Sequence, residues 1–138
     1  MKELKHLIFI GLLVITTTTT FASPSSGSVW KQVQDWRVED GRSAYKKDYC
    51  LCYIASKRVK EIQVDWSHRG FWAYVPVMFK LGYKHIGENL AKDFNDAEST
   101  LNAWLSSDTH RANLENDYTH SCVSCSNGYC VQMFSRRR

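Results

Sequence analysis

No apolar run in this sequence is long enough to cross a bilayer. The longest, Leu7 to Ile15, falls well short of the roughly 20 apolar residues that a spanning helix needs. Internal repeats are absent, which excludes a solenoid or propeller. No Asn-x-Ser/Thr acceptor occurs, so no N-linked glycan site is present. Charge of one sign is also scarce. The chain carries a net charge of +4, and its only basic cluster is Arg136, Arg137 and Arg138 at the end. Three arginines there read as a solvated tail (135–138), and no nucleic-acid partner is expected.

What is present begins with a leader. Lys2 and Lys5 precede the short apolar run, a threonine tract follows, and small residues close the segment at Ala22 or Ser23. This order of a basic start, a greasy core and a small-residue junction is that of a secretory signal peptide, residues 1–22. No cysteine lies near the junction, which argues against a lipid anchor there. The mature chain, about 116 residues with a net charge near +3, is expected outside the cytoplasm, secreted or periplasmic, with no stable membrane span. That length suits one domain with a real core. Ser23 to Ser28 is a Ser/Pro/Gly linker, and the domain is placed at 29–134.

Hydrophobic periodicity then sets the elements. Val29 to Val38 is a candidate first helix. In Tyr49 to Ile62, Leu51, Ile54, Ala55, Val59 and Ile62 recur near a 3.6-residue period, while Lys57, Arg58, Lys60 and Glu61 are assigned to the solvent side. Val75 to Leu81 reads as a short helix with Pro76 in its first turn. A short strand is expected near Lys84 to Ile86. Asn95 with Glu98 resembles a capping box before the stripe Phe94, Ala97, Leu101, Trp104 and Leu105. Ser107 can cap a successor from Asp108 to about Leu114. Tyr118 to Cys125 and Tyr129 to Phe134 flank Asn127-Gly128, a strong hairpin signal. Helices on a small antiparallel sheet make an α+β domain.

Five cysteines, Cys50, Cys52, Cys122, Cys125 and Cys130, all lie in the mature part. Export favours disulfides. In a two-residue hairpin at Asn127-Gly128, Cys125 faces Cys130 at a non-hydrogen-bonded site, where facing Cα atoms come closest, so these two are expected to bridge. Cys122 then joins Cys50 or Cys52, which point about 200° apart on a helix and leave the choice open. The rival is a thiolate metal site built on Cys122, Cys125 and Cys130, which export disfavours.

Several motifs occur in order: Ser67-His68-Arg69-Gly70-Phe71, Gly82-Tyr83, Gly87-Glu88-Asn89-Leu90-Ala91, and Trp104 to Leu114 in the pattern W-x-x-S-x-x-H-R-x-N-[IL]. Together they resemble the bacterial branch of the CAP superfamily, the cysteine-rich secretory, antigen-5 and pathogenesis-related-1 proteins. Cys52 to Ile62, Tyr118-Thr119 and Val131 to Phe134 fit the same resemblance. It implies a three-layer α-β-α sandwich with a central antiparallel sheet and an open cleft. On matching positions the cleft holds His68, Glu88 and His110. Ser107 stands where the animal, plant and fungal members carry a second glutamate, which leaves a triad.

Two neutral imidazoles in a cleft can take Zn²⁺ or a similar divalent cation, with His68 and His110 as ligands and Glu88 bound through water or to a ring N–H. His110 in a first helical turn is expected to stay neutral against the helix dipole. The bland alternative is a hydrogen-bonded Glu–His cluster that fixes the GENLA turn. Ser107 reads as an N-cap rather than a nucleophile, and His85 and His120 as surface or strand-edge residues. The leading expectation is therefore a secreted, non-enzymatic binding domain for a lipid, cell-wall or protein ligand. A metal-dependent hydrolase with Glu88 as base is one alternative, and a disulfide-stabilised structural or inhibitory protein with a vestigial cleft is the other. Trp66, Phe71, Trp72 and Tyr74 either pack their loop onto the sheet or line a groove beside the cleft.

Overall fold

A computed structural model describes residues 23–137. The expected signal peptide lies outside the described residues. Five helices and four strands follow the order α1 (Ser26–Glu39), β1 (Lys46–Lys47), α2 (Tyr49–Glu61), α3 (Phe71–Lys80), β2 (Tyr83–Lys92), α4 (Ala97–Leu105), α5 (Asp108–Glu115), β3 (His120–Ser126) and β4 (Tyr129–Arg137). The strands form one sheet in the order β1-β3-β4-β2. Three are antiparallel, and the two-residue β1 adds a parallel edge to β3. None of the described helices is long and apolar enough to cross a membrane.

Period-2 alternation in the strands divides two cores. Cys130 and Phe134 of β4 pack with Val29 and Val33 of α1, Leu101 and Trp104 of α4 and Leu114 of α5. Val131 and Met133 face the other way, onto Leu51, Ile54, Ala55 and Val59 of α2 and Met78 of α3. The α-β-α sandwich implied by the resemblance is therefore the observed fold.

Local chemistry explains where the elements begin. Ser25 caps α1 in a reciprocal capping box with Ser28, so the helix starts at Ser26 and takes in half of the expected linker. Asp96, not Asn95, caps α4, accepting from the Ser99 amide at 2.7 Å. Helix α3 begins at Phe71, four residues before the expected start, so Pro76 is interior rather than in the first turn. The amide that Pro76 lacks would have served the carbonyl of Trp72, a residue exposed to water.

The expected basic tail is also strand. Ser135, Arg136 and Arg137 continue β4 and pair with the start of β2, Tyr83 opposite Arg137 and Lys84 opposite Arg136. The short strand expected at Lys84 to Ile86 lies opposite this extension, and Gly87 to Lys92 continue it opposite Phe134 to Tyr129, so β2 is ten residues long.

The hairpin closes as the sequence dictates. Asn127 and Gly128 take φ of 51° and 78°, a type I′ combination, and Cys125 pairs with Cys130. Those two form a disulfide, and Cys122 bonds Cys52 of α2, leaving Cys50 free. The two bridges close very different loops, with sequence separations of 5 and 70. In the chain-entropy picture these are worth about 2 and about 4 kcal/mol. Urea unfolding should therefore show Cys52→Ser/Cys122→Ser losing roughly 2 kcal/mol more than Cys125→Ser/Cys130→Ser. Equal losses would mean that native-state contacts, not loop closure, set the contribution of each bridge.

Candidate functional site

The site lies along β2, where loops from both helical layers meet the sheet edge. Antiparallel pairing turns alternate backbone groups of an edge strand away from its neighbour. The hairpin register turns the carbonyls of Glu88 and Leu90 outward, and both find side-chain donors. Asn113 Nδ2 donates to Glu88 O at 3.3 Å, and Trp104 Nε1 donates to Leu90 O at 2.9 Å. Thus α4 and α5 cap the sheet edge.

Side chains along the same strand alternate between layers. Glu88 points toward α2, with its side chain 1% exposed, and is gripped there by Arg58. Arg58 Nε donates to Glu88 Oε2 at 2.7 Å and Nη2 to Oε1 at 3.1 Å. The same guanidinium donates to Glu61 Oε2 at 2.7 Å and to the Ser67 carbonyl at 2.9 Å. Burial opposes both charges, but hydrogen bonds from Tyr74 and Arg58 hold the Glu61 carboxyl low, and those to Glu88 and Glu61 raise the Arg58 pKa. Arg58 is therefore not on the solvent side of α2. It occupies the buried face beside Ile54, Ala55 and Ile62.

Gly70 makes room for this head group. A Cβ there would stand 2.2 Å from Arg58 Nη1 and 2.7 Å from Glu61 Oε2.

His68 sits in the loop between α2 and α3, the loop that Arg58 pins through the Ser67 carbonyl. Its Nδ1 lies 2.9 Å from Glu88 Oε1. A carboxylate accepts, so a neutral His68 ring carries its proton on Nδ1 and leaves Nε2 as a free lone pair. His110, third residue of α5, faces it from the other layer with ring centroids 6.3 Å apart. Burial, and then the nearby His68 ring, push its pKa below the ordinary imidazole value. Desolvation, rather than the helix dipole, is the main cause.

Asn89 points to the α5 side, where its Nδ2 donates to the His110 carbonyl at 3.0 Å and its Oδ1 accepts from Asn113 at 2.9 Å. Tyr118 OH packs over Gly87, where a Cβ would come within 2.6 Å of it. GENLA is thus a strand whose successive residues serve different neighbours, not a turn.

Ser107 occupies the N-cap position of α5, but its hydroxyl makes no cap bond and meets Thr109 Oγ1 at 3.3 Å instead. His68, Glu88 and His110 do converge, and Ser107 lies one turn from His110. His85 lies at the β2 bulge with φ of 46°, and His120 starts β3, so both are strand-edge residues away from the cleft. Among the described residues no three of His, Cys, Asp and Glu form a metal-ligand set. The missed residues are Arg58, Gly70 and Asn113. Only the spacing of Arg58, four after Ile54 and three after Ala55, gave a signal of burial.

Comparison with known proteins gives the family and the fold. The family model of the cysteine-rich secretory protein family, CAP, matches residues 30–134. The chain belongs to that family. It is 27% identical to the uncharacterized protein YkwD of Bacillus subtilis, over 75% of this chain and 45% of that protein. It thus spans under half the length of that curated relative. Its fold resembles an SCP-domain extracellular protein from Bacillus anthracis, at TM-score 0.72 and 23% identity, covering 81% of this chain and 40% of the other. An outer surface protein of Borrelia burgdorferi gives TM-score 0.68 at 17% identity, covering 80% and 90% of the two chains. These neighbours in fold are extracellular or surface proteins.

Breaking the ion pair from one side should be costly. Arg58→Met leaves Glu88 buried and unpaired, and chemical denaturation should report a loss of about 3–5 kcal/mol. The double variant Arg58→Met/Glu88→Leu should recover much of it. A double variant as unstable as Arg58→Met alone would mean that the pair's neighbours, not the stranded charge, dominate.

Proposed function

We propose that this chain is an exported, non-enzymatic CAP binding domain whose cleft takes a divalent cation such as Zn²⁺ between His68 and His110. The observation that carries the reading is the Glu88–His68 contact. Glu88 fixes the tautomer and orientation of His68 from behind, as carboxylates do for metal-ligating histidines. Glu88 is not a ligand on this reading, because both of its oxygens are held by Arg58. A cation about 2.0–2.1 Å from one nitrogen of each ring, at a tetrahedral angle, holds the centroids roughly 5 Å apart, so His68 must swing inward by about an ångström. The His68 side chain is 49% exposed and has that freedom. Two ligands with open positions give weak binding and leave room for a lipid, cell-wall or protein group on the cation.

The hydrolase alternative loses its base. Both oxygens of Glu88 are taken up by Arg58, one of them also by His68, and the side chain is 1% exposed, so it presents no oxygen to a water in the cleft. Ser107 has no hydrogen bond to His110 and lacks the arrangement of an activated nucleophile. The aromatics divide: Phe71 is core, while Trp72 is 65% exposed and Trp66 44%.

Calorimetric Zn²⁺ titration of the oxidised protein should give one weak site, lost in His68→Ala/His110→Ala. Binding unchanged in that variant would remove the proposal and point to Cys50 or another surface group.

His110 also gives a pH dependence. Its folded pKa lies below its unfolded value, so its unfolded form binds the proton more readily. Its contribution to stability is complete above about pH 6.5 and is lost as the pH falls through the lowered folded value. Thermal unfolding between about pH 7 and 5 should show a steeper loss for the wild type than for His110→Asn. Parallel pH profiles would rule out His110 as the source.

A further inference from the structure

We infer a second interaction surface, separate from the histidine cleft: the end of the molecule where α3 finishes and the sheet is most basic docks on an anionic lipid bilayer. Helix α3 buries Phe71 and Met78, yet its outer side is also apolar. Trp72 is 65% exposed, Val77 48%, Phe79 56% and the following Leu81 52%. Pro76 is exposed among them, and Lys80 is the only charged residue from Phe71 to Leu81. A surface helix normally turns charge outward. An apolar outer face of this kind marks an interaction site.

Charge identifies the occupant. Leu81 and the exposed Tyr49 border a cleft of about 470 Å³ also lined by Lys47, Arg137 and His120. A neighbouring cleft, sharing Arg137, adds Lys84, His85 and Arg136. Lys46, Lys47, Lys80 and Lys84 have no carboxylate partner among the described residues. The acids nearby are engaged. Asp48 accepts from Tyr83, Leu51 and Arg137, and Asp117 pairs with Arg136. Exposed aromatic and aliphatic side chains beside unpaired lysines complement a bilayer interface, with apolar groups entering the acyl boundary and lysines meeting anionic headgroups. A soluble polyanion would have no use for Phe79 and Leu81.

The test is vesicle sedimentation with the chain from Ser23 onward. Both cores lie within the described residues, and the leader's apolar run would bind lipid by itself. Near-UV circular dichroism checks that each variant is folded. The expected result is binding to phosphatidylglycerol/phosphatidylcholine vesicles, weakened at least about tenfold by pure phosphatidylcholine, by Lys80→Glu/Lys84→Glu, and by Phe79→Ser/Leu81→Ser. His68→Ala/His110→Ala should leave it unchanged, which separates this surface from the cleft. No binding to anionic vesicles overturns the inference. Binding that ignores Phe79→Ser/Leu81→Ser but follows the lysines also overturns it, and assigns the face to a soluble polyanion. Binding lost with the two histidines would overturn it as well, and relocate the contact to the cleft.

Discussion

The buried ion pair between Arg58 and Glu88 is the contact on which the rest of the site depends. Removing two charges from water costs several kcal/mol per ion, and their attraction offsets this only when every hydrogen-bonding position is used. Here the guanidinium reaches Glu88 twice, Glu61 once and the Ser67 carbonyl once. These contacts tie α2 to the edge strand and to the loop that carries His68. A buried apolar pair of equal volume could hold α2 to β2 as firmly. It could not also orient a carbonyl, a second carboxylate and an imidazole.

The pair also makes the strand register costly to change. Along β2, Glu88 and Leu90 face α2 and α3, while Gly87, Asn89 and Ala91 face α4 and α5. A slip of one residue exchanges the faces. With Asn89 moved to the Glu88 position, Arg58 would lose its counter-charge, Leu90 would lie against the His110 carbonyl with no donor, and the Glu88 side chain would collide with Tyr118 at the Gly87 position. Strand, both layers and loop are therefore specified by the same few residues. This gives a physical account of a motif that looks weak when read as a string of letters.

Much of the fold could be read from local signals. The apolar stripes of α2 and α4 and the Asn127-Gly128 turn are short-range, and the turn fixed the hairpin register that brings Cys125 opposite Cys130. Errors arose wherever a distant partner decided the outcome. Arg58 looked like a solvent-facing residue because its partner lies 30 positions away. The final arginines looked like a tail because nothing local indicates that Tyr83 and Lys84 wait to pair with them. Proline is cheapest in a first turn, but this helix tolerates Pro76 inside because the affected carbonyl is on an exposed residue. His68, Glu88 and His110 were found by their resemblance to a family pattern. Chemistry alone did not select them over His85 and His120.

The departure at Ser107 changes the electrostatics of the cleft more than its shape. A carboxylate there would sit one turn from His110 and favour a charged ring. Serine supplies no such charge, and the one carboxylate present is already neutralised by Arg58. His110 is left with desolvation and a neighbouring imidazole, both of which disfavour its proton. A cleft built to move protons needs a group whose charged form is stabilised close to working pH. This one instead sets a neutral ring opposite a second ring whose tautomer is fixed from behind. That arrangement suits an electron-pair acceptor arriving from solvent better than a water molecule to be activated, and for this reason binding, rather than turnover, is the reading that the residues favour.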